Sequence, residues 1–254
     1  SNSSAASDVY KRQAPYDPLD AVMLESLQAP SSAHPFGTDK LGRDLLSRVI
    51  FGTRTSLVMT LCLVAVIFVI GTFLGIIAGY FGGIVDGVIM RIADMMISFP
   101  GLVLAIAIAG MLGPNLVNAV ISIAAVSWTK YARLARSMVL RVKKNLYIEA
   151  AVVNGTRTWK ILLVHVLPNM VTQMVVTAAA DIGTMMLELA SLSFLGFGAT
   201  APTPEWGLML NEGRTYMAKA PWLMIYPGIA IVICVVIFNM LGDSIRDVLD
   251  PRQE

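Results

Sequence analysis

Two carboxylates stand where carboxylates are costly. Asp181 and Glu188 lie seven residues apart within the apolar run Met170 to Leu195. That spacing sets them on nearly one face of a helix. Ionisable groups inside an apolar span are expensive, and they commonly line a polar route or relay protons. A bundle of helices around a wet cavity, or hydrogen bonds to neighbouring helices, would use the same pair. A second charged pair, Arg91 and Asp94, falls in the stretch Ile84 to Ser98. At a spacing of three on a helix they can pair, as an electrostatic latch near a gate or as a solvated face. Other chemistry has little footing. His34 and His165 are the two histidines, and Cys62 and Cys234 the two cysteines. Neither set has the spacing of a metal site or a disulfide framework, so both cysteines read as apolar thiols and His165 as a headgroup or loop packing residue. The fifteen methionines are scattered at core-like positions and read as apolar filler. No Gly-x-x-x-x-Gly-Lys-Ser/Thr loop, nucleophile elbow or His-Glu-x-x-His occurs. The chain therefore does not hydrolyse ATP by itself, no cofactor is implied, and no enzyme activity is expected.

The elements that would hold these groups are membrane helices. Of 254 residues, 56% are hydrophobic and 14% charged, against about 25% charged in soluble domains. That composition predicts an all-α, polytopic membrane bundle. The net charge of +2 offers nucleic acid no purchase, whereas membrane lipid is an obligatory partner. Ser56 to Tyr80 carries no charged residue and is long enough to cross about 30 Å of hydrocarbon. Gly71, Gly75 and Gly79 form a small-residue ladder suited to close helix packing. Ile84 to Ser98 has the period of an amphipathic helix. Pro100 ends or kinks it, and Met95 to Gly113 then makes a second, bent span. Leu116 to Trp128 begins a third, passing into Lys130, Arg133, Arg136, Arg141, Lys143 and Lys144 as one long protruding helix. Met170 to Leu195 is the fourth span and Trp222 to Leu241 the fifth. Between them, Gly196 to Pro221 holds a short helix near Trp206 to Tyr216. Trp206, Trp222 and Tyr226 suit an interfacial belt.

The ends divide the chain further. Residues 1–13 are serine-rich without an apolar run and read as foreign or disordered. Residues 14–52 form an extracytoplasmic segment, in which Thr38 or Asp39 caps a helix entering the membrane and Lys40, Arg43, Arg48 and Arg54 sit at headgroup level. Residues 53–243 form the transmembrane domain, and 244–254 a charged cytoplasmic tail. The basic residues between Lys130 and Lys160 place that region in the cytoplasm.

Residues 145–169 form a loop within it. Asn145 can cap a helix start, Glu149 favours its dipole, and Ala150 and Ala151 leave its surface shallow. Gly155 supplies a left-handed stop. A second short helix from Thr156 or Thr158 ends at Pro168. Two such helices hung below a membrane suit the cleft of a partner. With Glu149-Ala150-Ala151, Gly155, Ile161 and Leu167-Pro168, this loop resembles the EAA loop of binding-protein-dependent ABC importer permeases. The segments Gly37 to Asp44, Met90 to Asp94 with Phe99-Pro100, Ser193 to Gly198, Ala201 to Gly207 and Asn239 to Pro251 are similar to the dipeptide/oligopeptide/nickel subfamily, and to its C-type subunit.

The resemblance implies a type I, MetI-like permease fold with about five spans and the family's first helix missing. It implies a chain in the cell's inner membrane, coupled through Glu149, Ala150, Ala151, Gly155 and Pro168 to two separate ATP-binding subunits. A second homologous permease subunit would pair with it, and an extracytoplasmic substrate-binding protein would dock outside, near Gly196 to Pro221. The cargo would be di- or oligopeptides, or nickel, free or chelated. Asp181 to Met186 and Ala199 to Pro202 lean toward nickel-type members. The competing reading is an autonomous proton- or ion-coupled transporter using Asp181 and Glu188. The absence of a detectable inverted repeat counts against it.

Overall fold

The computed structural model describes residues 14–249. The serine-rich start and the last five residues of the charged tail lie outside them. The described chain is helical apart from turns and an isolated bridge between Thr38 and Asp44. We label the helices α1 (Leu45–Phe81), α2 (Gly83–Ile97), α3 (Gly101–Leu112), α4 (Leu116–Val142), α5 (Leu146–Val153), α6 (Thr158–Phe194), α7 (Trp206–Arg214) and α8 (Trp222–Leu249). By length and composition α1, α6 and α8 can each cross a membrane. The pair α2 and α3 has the apolar length of a fourth span but turns by 93° at its break. Met95 to Gly113 is therefore not one bent helix. Ser98, Phe99 and Pro100 interrupt it, since proline disfavours the α conformation in the residue before it. Helix α4 spans 27 residues. It is apolar to Trp128 and basic beyond, and it is not among the helices apolar enough to cross, so the described residues hold three such helices, or four spans with the bent pair, where five were expected.

The chain divides into two compact units, and the long helices contribute to both. The first comprises 14–61, Ala109–Val120 and Thr184–Val236. Its entry segment is anchored by charge. Asp44, rather than Thr38 or Asp39, caps α1, accepting from the Ser47 amide at 2.8 Å and the Ser47 hydroxyl at 2.7 Å. Arg43 and Arg48 are each 1% exposed, so neither is a headgroup residue. Arg43 Nε donates to Asp39 at 2.6 Å, and both guanidiniums lie 3.5 Å from Glu212 of α7. Lys40 reaches the same carboxylate at 3.1 Å. Desolvated cations persist where counter-charges and carbonyls surround them, and Arg48 also donates to the Pro18 carbonyl. Trp206 is likewise a core residue and not part of a belt: it is buried, and its indole N–H donates to the Val49 carbonyl at 3.0 Å. Trp222 donates to the Thr38 carbonyl, and Tyr226 stacks on Phe36 with ring centroids 3.9 Å apart.

The second unit comprises Cys62–Ile108, Ile121–Gly183 and the chain from Ile237. Its centre is the contact of α1 with α4. A β-carbon at Gly71 would lie 2.5 Å from the Trp128 carbonyl oxygen, and one at Gly79 2.8 Å from Val139. The glycine ladder is thus the surface on which α4 lies, as small-residue packing requires. Phe68 meets Tyr131 edge-on in the same contact. Helix α8 runs on past Leu241 to Leu249, so the start of the charged tail is helical. Gly242 packs there on the backbone of Ala179 and Ala180.

Candidate functional site

Helix α5 follows α4 after a two-residue turn and Asn145. Its eight residues, Leu-Tyr-Ile-Glu-Ala-Ala-Val-Val, bury one side chain, Ile148. Leu146 and Val153 are 80% and 86% exposed, and Glu149 and Ala150 lie open beside them. Asn145 occupies the N-cap position in an extended conformation, but its side chain makes no cap bond; the amide instead donates to the Tyr147 hydroxyl. The far end is closed as the glycine predicts. Gly155 adopts φ +71°. The Thr156 amide donates to the Ala151 carbonyl and the Gly155 amide to Val152, the paired bonds of a Schellman stop. A β-carbon at Gly155 would meet no atom within 4 Å. The glycine is needed for its backbone, while the space around it stays free.

Beyond the stop, Pro168 does not end a short helix. Helix α6 runs unbroken from Thr158 to Phe194, with Ile161–Val166 wound as a π-helix. A proline lacks the N–H for the fourth preceding carbonyl and its ring crowds that oxygen. For Pro168 that carbonyl belongs to Val164. The wider π turn carries this oxygen away and lets the helix continue. Trp159, Leu163 and Val164 stay exposed along it. His165 packs near Tyr147, as a loop packing residue would.

The sequence-predicted carboxylates separate. Asp181 is buried and held from α4: Lys130 Nζ reaches Oδ1, and the buried Tyr131 hydroxyl donates to Oδ2 at 2.9 Å. Glu188, about two turns further along α6, is half-buried and engaged in its own contacts. Arg91 and Asp94 do not pair with each other. Asp94 receives Arg133 of α4, whereas Arg91 lies in a shallow apolar groove with Ile84, Val88, Ile92 and Met95. Asp86 receives Arg136 through two hydrogen bonds, from Nε and Nη2. In the sequence Lys130, Arg133 and Arg136 mark orientation by their charge, and their partners are not visible. The signal was their spacing of three, which repeats one helix face. Among the described residues no three His, Cys, Asp or Glu side chains gather as metal ligands.

An exposed apolar helix thus lies beside helices joined by ion pairs. The family model described as "Binding-protein-dependent transport system inner membrane component" matches residues 71–254. The chain belongs to that family. Relatives agree over most of their length. A dipeptide transport system permease protein of Alkalihalophilus pseudofirmus is 45% identical over 90% of this chain and 75% of its own. A glutathione transport system permease protein of Pectobacterium atrosepticum is 46% identical, over 94% and 79%. A nickel transport system permease protein of Escherichia coli is 40% identical, over 94% and 86%. In fold the permease is similar to a solved inward-facing structure of the MetNI methionine ABC transporter. The TM-score is 0.64 at 20% identity, covering 80% of this chain and 96% of that one. The permease is thus a multi-pass inner-membrane component with a MetI-type fold, a transport protein by family. Its family works with ATPase and substrate-binding subunits.

Proposed function

We propose that this chain is a permease subunit of an ATP-driven importer of dipeptides and similar short peptides, coupled to separate ATPase subunits through α5 and the start of α6. The observation that carries the reading is α5 itself. A helix with a single buried residue and a rigid glycine stop has apolar surface that water does not favour. A groove in a partner would cover it. Glu149, Ala150, Ala151 and Gly155 are its contact positions. The basic residues of α4 and the loop favour a cytoplasmic location. By alternation, residues 14–52 and the α7 region face outward, where a binding protein docks. A second, homologous permease completes the route, with Asp181 and Glu188 among its polar groups. Peptide cargo is favoured because the relatives at 44–46% identity are named for dipeptide, D,D-dipeptide or glutathione transport, with one more named for dipeptide transport at 40%. Nickel, named for a relative at 40%, is the second cargo to assay. An autonomous proton-coupled transporter has less support, since the Asp181 carboxylate already has a cation and a hydroxyl beside it.

The test uses the chain co-expressed with its ATPase, partner permease and binding protein. Uptake of a labelled dipeptide, glutathione and Ni²⁺ would be measured in cells, and ATPase-subunit co-purification in detergent. Glu149→Arg and Gly155→Asp are expected to insert normally and to lose docking by about 2 kcal/mol or more, as central interface residues do. Wild-type uptake and co-purification in both variants would overturn the coupling assignment.

A further inference from the structure

Helix α2 carries three charged residues, Asp86, Arg91 and Asp94. Its two aspartates both reach α4: Asp86 meets Arg136 through two hydrogen bonds, and Asp94 meets Arg133. Of its fifteen residues only Ala93 is buried, and Ile84, Val88, Ile92 and Met95 lie exposed on it. Apolar packing of α2 within this chain is confined to Ala93 and the half-buried Ile89, Met90 and Met96. The ion pairs add the directional contacts that set its register. Such partly exposed pairs add little stability, but a bidentate Arg–carboxylate contact is geometrically exacting. Helix α4 is fixed on its other sides. The α1 glycines lie against its backbone, Lys130 and Tyr131 hold Asp181 of α6, and Lys143 donates to the Tyr80 carbonyl at the end of α1 at 2.8 Å. Three residues beyond α4, the chain enters α5.

We propose that Arg133 and Arg136 are positioning residues for transport: through Asp94 and Asp86 they fasten α2 to the helix that leads into α5, so that a displacement delivered at α5 carries α2 with it. The proposal rests on the coupling reading of α5. It assigns the aspartates a transmitting role, distinct from a gate formed by Arg91 and Asp94 with each other. Rigid elements with defined contacts are the physical means by which such motion is passed on.

The test uses the full importer with spin labels at Ile84 on α2 and Leu140 on α4, both exposed. Distances would be measured without nucleotide and after trapping with ATP and vanadate. In the wild type the distance is expected to be the same in both states. In Arg133→Gln/Arg136→Gln it is expected to shift or broaden on trapping, with dipeptide uptake reduced roughly tenfold, the scale of a coupling energy of this kind, while ATP hydrolysis persists. The exchanged pair Asp86→Arg/Arg136→Asp should restore the wild-type distance and uptake more than either single reversal does. A wild-type distance that changes on trapping would overturn the proposal, as would a double glutamine variant that transports normally. Absence of ATPase subunits from the purified wild-type complex would instead remove the coupling reading, and the transmitting role with it.

Discussion

Gly75 lies directly on the backbone of Ala132, so that a β-carbon at position 75 would overlap the Ala132 carbonyl oxygen. Neither atom can yield, since both belong to helix backbones. Overpacking a tight core costs about 1–3 kcal/mol even when side chains can adjust. Gly75→Val should therefore exceed that range, separate α1 from α4 and lower the thermal midpoint and the yield of folded protein in detergent. Gly87 on α2 is the contrasting position, since an added β-carbon there meets nothing within 4 Å. Gly87→Ala should be neutral or stabilising by up to about 1 kcal/mol, the helix-propensity difference. Thermal unfolding of the two variants, followed by size-exclusion fluorescence, compares them. Equal midpoints would refute the close approach of α1 and α4.

Glu212 offers a second test, because it stands opposite three cations. Arg43, Arg48 and Lys40 all approach its carboxylate, and Asp39 is the other acid within reach of the two arginines. Removing one partner of a buried charge set leaves the rest uncompensated at a cost of about 3–5 kcal/mol. Glu212→Gln is expected to cost about 3 kcal/mol, because Asp39 and nearby carbonyls still serve the guanidiniums. The loss should appear as a lowered thermal midpoint and as proteolysis of residues 14–44. A midpoint within a degree of wild type would show that the arginines are served without Glu212.

The same residues show what could be read from the chain. Helix α4, the glycine ladder and the glycine stop at 155 were legible because each rests on local spacing or on a backbone requirement of one residue. The fate of Arg43 and Arg48 was not. They look like headgroup anchors until Glu212, more than 160 residues away, is folded against them. Trp206 has the same history, since its partner carbonyl belongs to Val49. Asp94 was expected to pair with its neighbour Arg91 and pairs with Arg133 of another helix. Local reasoning assigns the nearest opposite charge, whereas helix packing decides which one is reachable. Pro168 was read as a stop because a change of helix type, which absorbs it, leaves no mark in a periodic pattern.

Glu205 links cap chemistry to pH. Its carboxylate accepts the Gly207 and Leu208 amides at 2.9 and 2.8 Å and caps α7 from a buried site. Glu205→Ala should cost about 2 kcal/mol, combining a lost cap with buried amides left unpaired. Burial raises the carboxyl above the ordinary glutamate range, and the two amides and the Ser56 hydroxyl offset this in part. The folded chain therefore keeps this proton at a pH where the unfolded chain has released it. Between those two values the folded state binds more protons, so raising the pH through them lowers stability. The stability difference between wild type and Glu205→Ala should be greatest in acid. It should shrink as the pH rises above the ordinary glutamate range. A difference that grows with pH would show that the amide donors outweigh burial.

Pro168 tests whether the winding of α6 matters to function. The π-helical Ile161–Val166 lies immediately before it, and the Val164 carbonyl is the group that the proline ring displaces. In Pro168→Ala that cause is gone, and an ordinary α-helical ladder can form. Alanine is favoured over proline in a helix interior by about 3 kcal/mol, so the variant should be as stable as wild type or more so. Absorbing one residue of the wide turn would rotate the chain before it by about 100°, the angle per residue of an α-helix. Trp159, Leu163 and helix α5 would then present different faces. The expected result is a thermal midpoint at or above wild type together with weaker ATPase-subunit binding and reduced uptake. Labelling of a cysteine placed at Trp159 should change in parallel. Normal uptake with a raised midpoint would show that the wide turn accommodates the proline and does nothing more.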